Sequence, residues 1–182
     1  MPKHQRSNTV SSVPYLSSVA EFLPDILWTV EPDSQISFSN QRWLEFAGLT
    51  EKENSEKQSF PPRSVIHVED LQLLEDLWRK AIQGKQPFSC EVRLLRGDKS
   101  FIWHLLRACP TPKSEQWLIV CTDVHQLKTV QSMFQLVLDN IPISIFWKNR
   151  ESKYLGCNQL FANDMGKNAT EELLGKGDYD TS

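Results

Sequence analysis

The chain has 182 residues, 40% of them hydrophobic and 24% charged, with a formal net charge of −3. That is the composition of a soluble globular protein that can build a core. The mildly acidic balance argues against nucleic acid as a partner, and no stretch approaches the ~20 apolar residues that would span a bilayer.

The N-terminal stretch MPKHQRSNTVSSVPYLSS carries basic residues but no apolar run, so it does not read as a secretory signal. Residues 1–19 are expected to be a flexible leader, and the compartment to be the cytoplasm. Residues 26–30 (ILWTV) and 36–39 (ISFS) read as two short strands. The EPDSQ between them has turn chemistry, which makes 26–39 a hairpin. Asn40 is placed to cap a short helix, QRWLEFA, that Gly48 ends. ENSEKQSFPPRS is a polar loop without periodicity.

From Asp70 the pattern is helical: Leu71, Leu74, Trp78, Ala81 and Ile82 fall on one face, and Gly84 is expected to close the helix. Three strand-like segments follow, PFSCEVRLLR, SFIWHLLRAC and EQWLIVCTDV, separated by GDK and PTPKS. In the first, Phe88, Cys90, Val92 and Leu94 alternate with mostly polar neighbours, so one face is buried. Strands flanking helices in this order predict an α+β fold: a five-stranded antiparallel sheet over residues 20–124, with helices packed on one face. After it, Leu127, Val130, Phe134, Val137 and Ile141 recur at three- and four-residue spacing, the seam of a linker helix over 125–140 that pairs with a second copy or, in the alternative, lies as a single amphipathic helix on its own domain.

Shifted by 118 positions the sequence matches itself without a gap, Pro24 meeting Pro142, Ser34 meeting Ser152, Asn40-Gln41 meeting Asn158-Gln159, Gly48 meeting Gly166 and Glu53 meeting Glu171. A period this long suits a tandem domain rather than a solenoid. Residues 141–182 are therefore expected to begin a second, incomplete domain of the same kind, too short to bury a core alone, in what is a part of a longer protein or a truncated one.

With these elements in place, the chain resembles the PAS family, of the subtype carrying a PAC extension. LPDILWTVEPDSQISFSNQRWLEFAGLT resembles its opening hairpin and Asn-capped helix, and VIHVEDL its His-Pro-Asp-Asp segment. LWRKAIQGKQPFSCEVRLLRGDKSFIWHLLRACP resembles the long helix with the Glu-x-Arg and Trp strands, and LIVCTDVHQLK the closing strand and Asp-x-Thr exit. The chain departs from the pattern at Val68, where Pro is usual, at Lys99, where Gly is common, and at His125, where the exit motif has Thr. The resemblance implies a sensory module of a signal-transduction protein, of the histidine kinase or diguanylate cyclase type, that takes a small ligand or a partner and passes the result along its C-terminal helix. It implies a homodimer and a downstream output domain; the alternative is a ligand-free dimerisation spacer.

The chemistry-bearing residues are few. Trp28, Phe38, Trp43, Phe46, Trp78, Phe88, Val92, His104 and Trp117 line one cavity or fill one core, and composition fits both. Glu91, Arg93 and Trp103 are expected to meet on adjacent strands as an ion pair packed on a ring, and Asp123 to fix the start of the exit helix as a relay residue. Haem is disfavoured because the helix over 70–83 carries no histidine to ligate it. A LOV-type flavin is disfavoured because its Asn-Cys-Arg-Phe-Leu-Gln context is absent, and the GCNQLF at 156–161 falls on the wrong element. The cofactor is therefore left unassigned. Cys90, Cys109, Cys121 and Cys157 have no metal-ligand spacing and read as reduced thiols. No Ser/His/Asp order or carboxylate pair suggests an enzyme.

Overall fold

The computed structural model describes residues 20–50, 53, 58–112 and 115–180; the leader expected over 1–19 lies outside them. The chain divides after His125 into two compact units.

The first unit is built on strands β1 (Ile26–Val30), β2 (Ile36–Ser39), β3 (Phe88–Leu95), β4 (Phe101–Pro110) and β5 (Trp117–Asp123), with helices α1 (Gln41–Ala47) and α2 (Val68–Gly84) between β2 and β3. The five strands form one sheet in the order β2-β1-β5-β4-β3, antiparallel at every pairing. The closing strand therefore inserts between the opening hairpin and the rest, with Trp28 opposite Ile119 and Leu106 opposite Cys121. β-Branched and aromatic residues alternate along these strands. Val92, Leu94, Leu106, Ala108, Ile119 and Cys121 face one buried cluster, onto which α2 lowers Leu74, Trp78 and Ala81.

The C-terminal end of the β3 edge is covered by the approach to α2. The Leu95 N–H donates to the Val65 carbonyl (2.7 Å) and the His67 N–H to the Arg93 carbonyl (3.0 Å), which closes that end of the edge to another strand. His67 caps α2, its ring nitrogen accepting from the Glu69 N–H at 3.3 Å.

Two local expectations are corrected. Gly84 does not close α2: the left-handed residue is Lys85 (φ 48°), whose N–H reaches the Ala81 carbonyl. Asn40 occupies the cap position of α1 but makes no side-chain cap bond; it is buried in the hairpin instead. In the β3–β4 turn the left-handed position is Lys99 (φ 72°), and Gly97 serves for closeness. A Cβ on Gly97 would stand 3.0 Å from the Ala47 carbonyl oxygen and 3.1 Å from Gly48 Cα. Gly48 (φ 66°) ends α1 as the sequence indicates.

The second unit contains helix α3 (His125–Asn140) from its second residue on, strands β6 (Phe146–Lys148) and β7 (Tyr154–Cys157), which pair antiparallel, and a short helix α4 (Gln159–Asp164). Of the expected seam, Leu127, Val130, Phe134 and Val137 lie on α3 and are exposed. Ile141 falls one residue beyond the helix, its N–H still held by the Val137 carbonyl at 3.1 Å. Leu138 is the residue of α3 that is buried.

Candidate functional site

Two places in the first unit gather the residues singled out by sequence. The first is the aromatic interior. Rings succeed one another, edge to face except for the stacked Phe46–Trp43 pair, from His104 to Phe46 (5.0 Å), to Trp43 (6.2 Å), to Trp28 (5.0 Å), to Phe60 (6.2 Å), to Trp78 (4.7 Å) and to Trp117 (5.2 Å). Phe88 touches Trp78 at 6.5 Å, and Val92 lies buried in the same cluster. Spacings of this size are direct ring contacts, so these side chains pack on each other rather than standing around a void. Phe38 is not in the cluster. It sits opposite Thr29 on the hairpin and borders a cleft of about 50 Å³ beside Trp28 and Trp43.

Phe60 is the residue that sequence reasoning missed. It lies in the polar loop, yet it is 3% exposed and joins the Trp28–Trp43 pair to the Trp78–Trp117 pair. A lone aromatic ahead of two prolines was the available signal. His104 is buried, and its Nδ1 lies 3.0 Å from the Ile102 carbonyl, which fixes the proton on that nitrogen. Burial pulls its pKa below the ordinary histidine value, against the Ile102 bond and the Asp123 charge.

The second place is where the sheet hands over to α3. Arg93 does not pair with Glu91. Its guanidinium reaches back to the first turn of α2, with Nε 2.9 Å from Asp70 Oδ2, Nη2 2.6 Å from Asp70 Oδ1 and Nη2 2.8 Å from Glu69 Oε2. The Arg93 backbone N–H also donates to Asp70 Oδ2 at 2.9 Å. The cause of the difference is position. Arg93 sits on the edge strand, and α2 begins alongside that edge with two carboxylates that also favour the helix N-terminus. Burial would raise the Asp70 pKa, but the bonds and charge of Arg93 together hold it below the usual carboxylate value.

The guanidinium lies 4.9 Å from the centre of the Trp103 ring, the contact the sequence suggested. The Trp103 backbone then ties the exit: its carbonyl accepts from the Val124 N–H at 2.9 Å, and its N–H approaches His125 Nδ1 at 3.5 Å. Asp123 Oδ1 accepts from the His125 N–H at 2.8 Å, so Asp123 fixes the first residue of α3. Asp123 also stands opposite His104 in the β4–β5 register. Asp70, Arg93, Trp103, Val124 and His125 are thus one connected path from α2 across β3 and β4 to the strand exit.

The thiols offer little chemistry. Burial first, then the Asp70 charge, pushes Cys90 up to about 11, and burial holds Cys121 well above the ordinary value. Both stay protonated at neutral pH, whereas a reactive thiol needs the thiolate.

The fold is an α+β domain whose closing strand is tied by Trp103 and Asp123 to the residues that follow it. Residues 36–122 match the family described as the PAS fold, and that region of the chain is a PAS domain. The matched segment begins at β2, although β1 occupies an interior place in the sheet. An uncharacterized protein of Sinorhizobium fredii is 22% identical over 92% of this chain and 21% of its own length. A peroxide stress-activated histidine kinase of Schizosaccharomyces pombe is 28% identical over 65% of this chain and 8% of its own. The chain therefore spans about a fifth or less of these curated relatives. Among solved structures, a domain of a sensory box sensor histidine kinase/response regulator from Geobacter sulfurreducens superposes with a TM-score of 0.51 at 14% identity, covering 64% of this chain and 98% of that one. At that identity the likeness shows the fold.

Proposed function

We propose that the chain is a sensory module of a larger signal-transduction protein of the histidine kinase or diguanylate cyclase type. In this reading a ligand or partner that favours one arrangement of the sheet alters the junction at Trp103, Asp123 and His125, and α3 carries the change to an output domain. The observation that carries it is the double role of Trp103, whose ring holds Arg93 while its backbone holds the two residues entering α3. A ligand with no differential affinity for the two arrangements would transmit nothing, and couplings of about 1–3 kcal/mol suffice. The module acts as a homodimer through the exposed Leu127, Val130, Phe134 and Val137, in the cytoplasm. Residues 141–182 begin a second domain of the same family.

A second reading, a ligand-free dimerisation spacer, is favoured by the ring-filled interior of the first unit. Absorption spectra and native mass spectrometry of the purified chain separate the two. A bound chromophore or metabolite supports the sensor. A mass equal to the polypeptide alone, with no small molecule shifting the amide spectrum of the first unit, supports the spacer and removes the sensor.

A further inference from the structure

His104 is 2% exposed and stands opposite Asp123 in the β4–β5 register. Residues directly opposite on an antiparallel pair share a face, with Cα atoms about 4.5–5.5 Å apart. Asp123 Oδ1 also accepts from the His125 N–H at 2.8 Å. One carboxylate therefore has an imidazole beside it and the first amide of α3 bonded to it.

The elements around the ring bring few charges to it. β3 places Val92 opposite it, and α1 brings Phe46 against it at 5.0 Å. The charged or ionisable groups that act on it are Asp123 of β5, Asp25 ahead of β1 and His125 at the start of α3, with Asp123 the strongest of the three. Burial outweighs both carboxylates and holds the folded pKa below the ordinary 6.5. The ring is thus neutral at neutral pH, with its Nδ1 proton on the Ile102 carbonyl at 3.0 Å. A second proton has to enter at Nε2, and a buried cation needs an anionic partner.

We propose that protonation of His104 is an acid switch on α3: the charged imidazole draws the Asp123 carboxylate to itself and away from the His125 N–H, which frees the first turn of the helix. The proton comes from solvent and enters at Nε2. The sign follows from the neutral ring being the buried form. α3 is capped at neutral pH and released as the pH falls below 6.5 through the lower folded value. The switch rests on the junction at Asp123 and adds pH to what that junction responds to.

The test is an NMR titration of the full chain from about pH 8 to 5, across the range where histidine changes charge. It follows the ring carbons of His67, His104 and His125 and the amides of residues 125 and 126. The two amides are expected to shift with the midpoint of the His104 ring, while the amides of β3 stay in place. His104→Gln abolishes that step. Asp123→Asn abolishes it too, because the amide keeps an acceptor for the His125 N–H but has no charge to be drawn. Should His104→Gln fail to fold, the matched midpoints in the native chain and Asp123→Asn still decide. Amides that follow the His125 or His67 ring, no step at all, or one step shared by the whole first unit would overturn the switch. Asp123→Ala at neutral pH separates it from the junction. If residues 125 and 126 ignore that substitution, the junction fails and takes the switch with it; a response to Asp123→Ala without a pH step refutes the switch alone.

Discussion

Asn40 and Asn158 stand 118 positions apart and hold the same backbone groups. The Asn40 Oδ1 accepts from the Leu27 N–H at 3.0 Å, and its Nδ2 donates to the carbonyls of Ala20 at 3.1 Å and Asp25 at 2.9 Å. The Asn158 Oδ1 accepts from the Ile145 N–H at 3.0 Å, and its Nδ2 donates to Leu138 at 3.1 Å and Ile143 at 2.9 Å. Both side chains are 0% exposed. A carboxylate, hydroxyl or alkyl group cannot supply one acceptor and two donors from one planar group, which is why Asn stands at both places. Asn40→Ala leaves three backbone groups buried and unpaired, and is expected to cost about 3 kcal/mol, read by chemical denaturation. Asn40→Asp is expected to destabilise as well, since it keeps the acceptor but turns an anion toward two carbonyls. Native stability in either variant contradicts the assignment.

The Arg93–Asp70 contact predicts a pH effect of definite sign. The folded Asp70 pKa lies below its ordinary 3.8. The stabilisation it gives is therefore present above that value and is lost as the pH falls from about 4 through the lower folded value. Asp70→Asn is expected to destabilise by about 1–2 kcal/mol near neutrality, because the pair is mostly but not wholly buried. The variant also loses part of the acid dependence of stability. Parallel stability curves for the two proteins from pH 3 to 7 would show that the pair does not contribute.

Lys99 adopts a left-handed backbone (φ 72°) that costs a side-chain-bearing residue about 1–2 kcal/mol. Lys99→Gly is expected to raise stability by about 0.5–1 kcal/mol after the larger unfolded-state entropy of glycine is counted. Gly97→Ala goes the other way, because its Cβ would press on the backbone of Ala47 and Gly48. The two melting temperatures should move in opposite directions.

The apolar face of α3 predicts association. Phe134 is 57% exposed, and a seam of this kind is normally covered. Sedimentation equilibrium should give a dimer for the native chain and a monomer for Phe134→Glu, with circular dichroism unchanged. A native monomer at tens of micromolar would remove the dimer from the account.

Much of this was legible in the sequence, because it rests on periodicity. The alternation from Phe88 to Leu94 and the helical spacing of Leu74, Trp78 and Ala81 each name a face, and the faces meet as expected. The 118-residue offset seen in the sequence also relates backbone bonds of the two units. The Ile36 N–H bonds the Gln58 carbonyl at 2.8 Å, and the Tyr154 N–H bonds the Lys176 carbonyl at 2.9 Å. What lay beyond the sequence were contacts set by tertiary placement. Phe60 reads as loop, but the chain folds it into the aromatic row. Arg93 reads as a partner for Glu91, but the start of α2 offers nearer carboxylates. Where the first unit buries Val30 and Phe60, the second has Lys148 and Asp178, which pair with each other while Asp178 also accepts from the Tyr154 hydroxyl at 2.7 Å. No hydrophobic pattern could announce that exchange.

The most direct test of the central claim, that the sheet exit governs α3, is hydrogen exchange on Asp123→Ala. The account predicts faster exchange at the amides of residues 125–130 with β3 and β4 unchanged, because a single acceptor for the His125 N–H is lost. Unchanged exchange along α3, or an equal loss of protection throughout the first unit, would contradict it.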